Sequence, residues 1–518
     1  MLMRNAGFEP RCEFMRMRGP RPVRHGKDAA SGDGRERGVE SASRRPGEFG
    51  ILLALAFAAF MTCLDNTVVN VALPRIQQSL RLDLPDLEWV AAAYPLAFAA
   101  LLLTGGRSAD VWGRRPTLLT GLVLFTAASL LCGLARSGPV LIAFRGLQGV
   151  GAALVMPASL AVLARDLGPR ARAAGIAVWM SALALALALG PVLGGLISQH
   201  WGWGWIFAIN VPFGALAAVT VARALPRGGC TVQGRGLVRA VALAGRFDPL
   251  GTGLSCLAAG ACAFGLIEGV RLGLVPAVAV FATAALALAL FVWRQYAART
   301  PMVDLALFRD RVFAGGLAAQ VLWGLGVNGV LFLTALFLQR VLGLTPTEAG
   351  LAFTPVALFL ILATPLVPVL VRVLGAHRAC AGGLLTVAAG LLALARVGAG
   401  ASPLDLLPGL VAIGAGSALT VPLTERTLDA SPDEVSGATS GVVSAAREFA
   451  GLLGIAVLGA IVARRQNTES AGKGASAAFV EGYQSGLLVA SVFVAIGAVV
   501  AAVSLRPAPL AESRKSDG

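Results

Sequence analysis

Apolar residues along this chain come in long unbroken runs. They fall at roughly 50–73, 88–105, 116–135, 139–164, 173–197, 204–223, 248–269, 274–293, 312–338, 348–371, 379–397, 404–423, 437–463 and 483–505. Each is close to the ~20 residues a helix needs to cross a hydrocarbon core. Sustained alternation with a period of two is absent, which sets a membrane barrel aside. The pattern predicts an all-α membrane protein with about fourteen transmembrane helices. Glycine and alanine are frequent inside the runs, and Pro355, Pro365 and Pro368 interrupt the one at 348–371. Small residues let helices approach closely in lipid, and prolines kink them where neighbours re-satisfy the backbone.

Composition agrees. Of 518 residues, 56% are hydrophobic and 14% charged, with a mean hydropathy of +0.75. Soluble domains carry about a quarter charged residues. The net charge of +15 is almost all arginine, since lysine occurs only at Lys27, Lys473 and Lys515. Basic chains often bind nucleic acid, but here the arginines lie between apolar runs and in the tail. With the N-terminus inside, the inner loops hold Arg107, Arg114, Arg115, Arg165, Arg170, Arg172 and many more. The outer loops hold a thinner set that includes Arg75, Arg81, Arg136 and Arg271. The positive-inside bias then puts both termini in the cytoplasm of a plasma-membrane protein with an even number of spans.

The expected organisation is a disordered cytoplasmic tail over 1–48, six spans over 49–224, a basic cytoplasmic linker over 225–247, two spans over 248–294, six spans over 295–506 and a short tail over 507–518. Met15 or Met17 is an alternative start. The arginine pair before the first run hints at a twin-arginine signal, but many spans follow, so an uncleaved anchor is the preferred reading.

Some chemistry is excluded. No cysteine pair has Cys-x-x-Cys spacing, and the three histidines are far apart in sequence. This argues against a metal site, a disulfide frame or a histidine triad. The Gly-Lys pairs are followed by Asp28 and Gly474, so neither is an ATP-binding phosphate loop. An enzyme, an ATP-driven pump and a cofactor are therefore not expected.

What remains is polar chemistry inside the spans, where an ionisable group is expensive and usually faces a cavity. Asp65 and Asn70 lie in Leu64–Ile76, and Arg145 and Gln148 lie in Leu141–Ala153. Counted from the predicted outer ends, Asp65 is about 12 Å deep and Arg145 about 9 Å deep. Two opposite charges at similar depth plausibly share a cavity. A proton-handling site and a structural ion pair are both open. Asp65 is expected to face a low-dielectric chamber. Glu448 near the midplane of its span is a second proton or cation candidate, with Arg447 free to point elsewhere. Asn328 is a deep polar group in the ninth span. Glu268 and Asp405, at span ends, are expected to be solvated.

Between the second and third spans, Gly105 and Gly106 supply a tight turn. Asp110 caps a neighbouring helix, and Gly113, Arg114 and Arg115 complete a basic inner loop. Gly190, Pro191, Gly194 and Gly195 give the fifth span a kinked, closely packing surface. Trp201, Trp203 and Trp205 fit an outer aromatic belt.

Together these segments resemble the major facilitator superfamily, in its fourteen-helix drug:proton antiporter branch. Leu64–Ile76 is similar to that branch's first-helix signature. Gly106–Arg115 is similar to the superfamily's loop between helices two and three, Leu141–Ala153 to its proton-linked fourth-helix motif, and Gly190–Gly195 to the antiporter motif. Trp205–Pro212 and Pro301–Leu305 are also similar. The resemblance implies two six-helix bundles around a central cavity with two helices inserted between them. It implies a protein that exports lipophilic small molecules or antibiotics in exchange for protons, through a cavity that opens alternately to each face; a monomer is expected. In it Asp65 is a proton or substrate acid, Arg145 modulates its protonation, and Gly190-Pro191 restricts leak. Val111 and Ser108 depart from the usual loop pattern, and Glu448 stands where an amide is more usual. An uptake symporter for a sugar or metabolite is the alternative. The Gly190–Gly195 motif and the scarcity of polar residues in most spans weigh against it.

Overall fold

The computed structural model describes residues 48–225, 248–298, 301–430, 436–473 and 475–506. The expected tails and almost all of the linker, 226–247, lie outside the described residues. Among the described residues there are 14 helices long and apolar enough to cross a membrane. The first six are α1 (Glu48–Leu80), α2 (Leu84–Val111), α3 (Arg114–Gly133), α4 (Gly138–Arg165), α5 (Pro169–His200) and α6 (Trp205–Ala224). The next two are α7 (Pro249–Leu272) and α8 (Leu274–Ala297). The last six are α9 (Arg311–Arg340), α10 (Pro346–Leu374), α11 (Ala376–Leu394), α12 (Pro403–Asp429), α13 (Ser436–Lys473) and α14 (Ala475–Ser504).

The helices form two six-helix bundles and an inserted pair. In the first bundle α1 packs on α5 and α6, α2 on α4, and α3 on α4 and α6. In the second, α9 packs on α13 and α14, α11 on α12 and α14, and α10 on α12. The bundles meet mainly through α2 with α13 and α5 with α10. Helices α7 and α8 pack together, and α7 touches both α2 and α13.

Several helices outrun the apolar runs that predicted them. Pro74 does not end α1, which continues to Leu80. An interior proline deprives only the carbonyl four residues back of its partner. Asp65 therefore lies 15 residues before the end of α1, about 22 Å along the axis. Helix α13 runs ten residues past the predicted end of its span. Helix α10 is broken where its prolines fall, with a 3-10 turn at Thr364–Leu366.

The α2–α3 connection corrects a second expectation. Gly105 and Gly106 are within α2, not in the turn. A Cβ on Gly105 would come within 1.9 Å of the Ala153 carbonyl oxygen, so this glycine lets α2 lie against the backbone of α4. The turn itself falls to Gly113, whose φ of +101° is a conformation L-residues avoid.

Candidate functional site

Asp65 and Arg145 do come together, in direct contact. The Arg145 guanidinium donates from Nη1 to Asp65 Oδ2 and to Gln148 Oε1 at 2.9 Å, and from Nε to the Val90 carbonyl at 3.2 Å. Gln148 Nε2 donates to Asp65 Oδ1 at 2.6 Å and to Ser129 Oγ at 2.8 Å. Asn210 Nδ2 donates to the same Asp65 oxygen at 2.9 Å. The guanidinium also sits over the Tyr94 ring, 4.8 Å from its centroid. Three helices thus meet at one carboxylate, α1, α4 and α6, and α2 and α3 join the network through Arg145 and Gln148. Opposite charge, short distance and several donors together offset the large cost of desolvating an ion pair.

This geometry corrects one expectation sharply. Asp65 is 1% exposed, and Arg145, Gln148, Ser129 and Asn210 are fully buried. The carboxyl faces the interior of the first bundle and lines no chamber in this conformation. Asn70 is half-buried and lies outside the cluster.

Glu448 stands in a different setting. Its side chain is 18% exposed. Ala445, one turn earlier on α13, packs against the buried core of the first bundle, which places Glu448 near the interface between the bundles. Arg447 does approach it, with Nη2 3.8 Å from Oε1, but half of that guanidinium side chain is exposed. One turn further along α13, a Cβ on Gly451 would be 3.1 Å from Asn328 Nδ2 of α9. Asn328 itself donates to the Gly324 carbonyl at 3.2 Å. Glu448 and Asn328 therefore share one region at the junction of α9, α13 and the first bundle.

The basic loop ties elements of the first bundle to one another. Arg114 forms a two-pronged pair with Asp166, and Arg115 donates to the Ala222 carbonyl at 2.7 Å. Asp110 does not cap a helix. It is exposed and 3.6 Å from Arg165, because Gly113 begins α3 without a side-chain cap.

The glycine motif of α5 divides by partner. A Cβ on Gly190 would collide with Thr67 Oγ1 at 1.9 Å, and one on Gly194 with the Val68 carbonyl at 2.5 Å, both on α1. A Cβ on Gly195 would meet the Pro346 carbonyl of α10 at 2.2 Å. Reciprocally, a Cβ on Gly350 would meet the Pro191 carbonyl at 2.3 Å. The second pair joins one bundle to the other. Two hydrogen bonds reinforce the same end, from Gln339 Nε2 to the Val71 carbonyl at 2.7 Å and from the Thr347 amide to Gln199 Oε1 at 3.0 Å. Away from that end, Ile176, Met180 and Leu185 on α5 and Leu358, Ile361 and Val373 on α10 are exposed.

Two participants escaped the sequence reading. Asn210 fell inside a segment read as an aromatic belt. Trp201 and Trp205 are indeed exposed there, yet Asn210 begins a helix piece and turns inward. Ser129 had no distinguishing context. Glu268, expected to be solvated, accepts from Trp89 Nε1 at 3.0 Å and from Arg271 at 3.2 Å.

No three metal-ligating side chains converge among the described residues. The arrangement is that of a helical membrane protein with buried polar locks, an acid at the interface between its bundles and close glycine contacts closing one end. Residues 55–455 match the profile of the Major Facilitator Superfamily, and the chain belongs to that family of membrane transporters. It is 38% identical over 418 residues to the "Multidrug resistance protein Stp" of Mycobacterium tuberculosis (strain ATCC 25618 / H37Rv), covering 80% of this chain and 75% of that protein. It is 32% identical over 473 residues to the "Probable actinorhodin transporter" of Streptomyces coelicolor (strain ATCC BAA-471 / A3(2) / M145), covering 88% and 79%. It is also 32% identical over 422 residues to the "Tetracenomycin C resistance and export protein" of Streptomyces glaucescens, covering 80% and 76%. In fold it resembles a bacterial homolog of the human lysosomal transporter Spinster, solved inward-facing and unoccupied, with a TM-score of 0.62 at 17% identity over 90% of this chain and 98% of that one.

Proposed function

We propose that the protein exports lipophilic small molecules, antibiotics among them, across the plasma membrane in exchange for protons, by alternating access. The observation that carries this reading is the division of the α5–α10 seam. Backbone-close contacts at Gly195 and Gly350 hold one end shut, while Ile176, Met180 and Leu185 on α5 and Leu358, Ile361 and Val373 on α10, away from that end, are exposed. A seam with one closed end is what a carrier that rocks about a central site requires. The names of the relatives support this cargo class, and the positive-inside bias of the arginine-rich loops supports an outward-facing closed end.

In this reading the acids have separate tasks. Glu448, on the face between the bundles, is the group that exchanges a proton with solvent and competes with the cargo. Asp65, sealed against Arg145, holds the first bundle rigid and reaches solvent only in a state where that pair separates. The test is dye efflux from cells or vesicles with an imposed pH gradient, comparing the native protein, Asp65→Asn and Glu448→Gln at equal membrane levels. Gradient-driven efflux in the native protein and its loss in both variants is expected. Native efflux that survives collapse of the gradient overturns proton exchange, and full coupling in Glu448→Gln overturns the assignment of that residue.

A further inference from the structure

Glu88 is a buried acid that the reading above leaves unused. It lies on α2 four residues after the helix begins, about 6 Å along the axis, where α2, α7 and α13 meet. The residue is 1% exposed, and neither carboxyl oxygen has a hydrogen-bond partner among the described residues. A Cβ on Gly459 of α13 would come within 2.2 Å of its Oε1 and 2.8 Å of its Oε2, so the carboxyl rests directly on that backbone. The surrounding cluster is apolar: Ala92 on α2, Ala263 and Ile267 on α7, Leu452 and Ala456 on α13.

None of the charged groups described around it is hydrogen-bonded to it. Glu268 of α7 is acidic and near enough to act on Glu88 and on Asp86 electrostatically. The one cation of α7 at this end, Arg271, is bound to Glu268 and Asp83. On α13, Arg464 and Arg465 lie five and six residues past Gly459, about 7.5–9 Å further along the axis. Arg447 and Glu448 lie more than ten residues before it. A carboxylate in such a pocket would lose its hydration with nothing in exchange, whereas a neutral carboxylic acid loses far less.

We propose that Glu88 is a second proton-binding site, a neutral carboxylic acid while α2 is packed on Gly459 and a proton donor when α2 and α13 shear apart and water enters the seam. The proton's presence rests on the packing alone, and its release rests on the alternating access proposed above. The same seam gives the inserted pair a task. Polar bonds fasten α7 to α2 at both ends, through Trp89–Glu268 and Asp83–Arg271 at one and Thr104–Thr252 at the other. Against α13, α7 presents the apolar surface of Ala263 and Ile267, which is free to slip. The pair then travels with the first bundle and carries Glu268 beside Glu88 in every state.

Infrared spectroscopy of the full-length protein in liposomes tests both halves. At neutral pH the native minus Glu88→Gln difference spectrum should contain one protonated-carboxyl C=O band that shifts in deuterium oxide. Carboxylate bands in its place, or no band, overturn the site. Glu88→Leu, which suits the apolar seam, should lose the same band and serves if the glutamine variant fails to reach the membrane. Release is read by comparing the native protein with Gly195→Ala, which weakens the closed end. The variant should lose a larger fraction of the Glu88 band at the same pH, and equal bands overturn the release step. Because the spectrum needs no cargo, a protein whose efflux ignores the gradient would fail the proposed exchange while still deciding Glu88.

Discussion

Gly195→Ala isolates the contact that closes one end of the molecule. The added methyl would sit 2.2 Å from the Pro346 carbonyl oxygen and 2.8 Å from its carbon. Both are backbone atoms, so no rotamer change relieves the overlap. The two helices must part by about 1 Å or more to restore van der Waals spacing. Overpacking of this kind costs ~1–3 kcal/mol. The contact joins α5 to α10, so the cost falls only on the state in which that end is closed. It therefore shifts the conformational equilibrium by roughly 5- to 150-fold, with little loss of bundle stability. Gly350→Ala, which strikes the Pro191 carbonyl at 2.3 Å from the other side, should do the same. Gly194→Ala is the control. Its methyl meets the Val68 carbonyl at 2.5 Å inside the first bundle, so the same ~1–3 kcal/mol comes off stability and leaves the equilibrium between states alone.

Amide hydrogen exchange in liposomes separates these outcomes. In Gly195→Ala and Gly350→Ala, exchange should rise at 195–200 and 346–352, where the Thr347 amide loses its Gln199 acceptor. It should fall at the opposite ends of α5 and α10. Thermal midpoints should stay near native for these two variants and drop for Gly194→Ala. A Gly195→Ala protein that melts like Gly194→Ala with unchanged exchange at 346–352 would refute the assignment of this glycine to a moving seam.

The remaining predictions concern charges. Asp65→Asn and Arg145→Gln each leave half of a sealed pair and should cost ~3–5 kcal/mol in denaturant unfolding. The double variant should lose clearly less than the sum, and strict additivity would show that the two side chains do not act as a unit. Arg114→Ala removes a pair whose side chains are 32% and 23% exposed. It should lower stability by no more than about 1 kcal/mol, and a larger drop in the thermal midpoint would mean that the loop bears load beyond this ion pair.

The helix inventory was readable because lipid imposes one rule on every span: about 20 apolar residues with the backbone satisfied internally. The joining of Asp65 and Arg145 was also readable, since opposite charges at similar depth in an apolar bundle gain by pairing. Their seclusion was not. Depth along two axes says nothing of azimuth, and a rotation of α1 by half a turn would have turned the same carboxylate outward. Asn210 shows the same limit, because its burial depends on which face of α6 meets α1, α3 and α4. Gly195 and Gly194 are neighbours in one motif, yet they differ by the ~100° that separates successive residues on a helix. One touches its own bundle and the other touches the opposite one.

Asp65 and Glu88 carry this point into mechanism. Both are acids inside apolar spans, and both are 1% exposed. Composition and position treat them alike. Yet Asp65 accepts from Arg145, Gln148 and Asn210, while Glu88 accepts from nothing among the described residues and rests on a glycine backbone. A carboxylate with a guanidinium and two amides is stable where it is, and moving it costs its partners as well as itself. A carboxyl with no partner is tolerated only without its charge, and it gains as soon as water arrives. The first kind of site resists change and the second responds to it. In a carrier whose bundles must stay rigid while they move against each other, the first belongs inside a bundle and the second at a seam. Asp65 lies among helices of one bundle, and Glu88 lies where both bundles and the inserted pair touch.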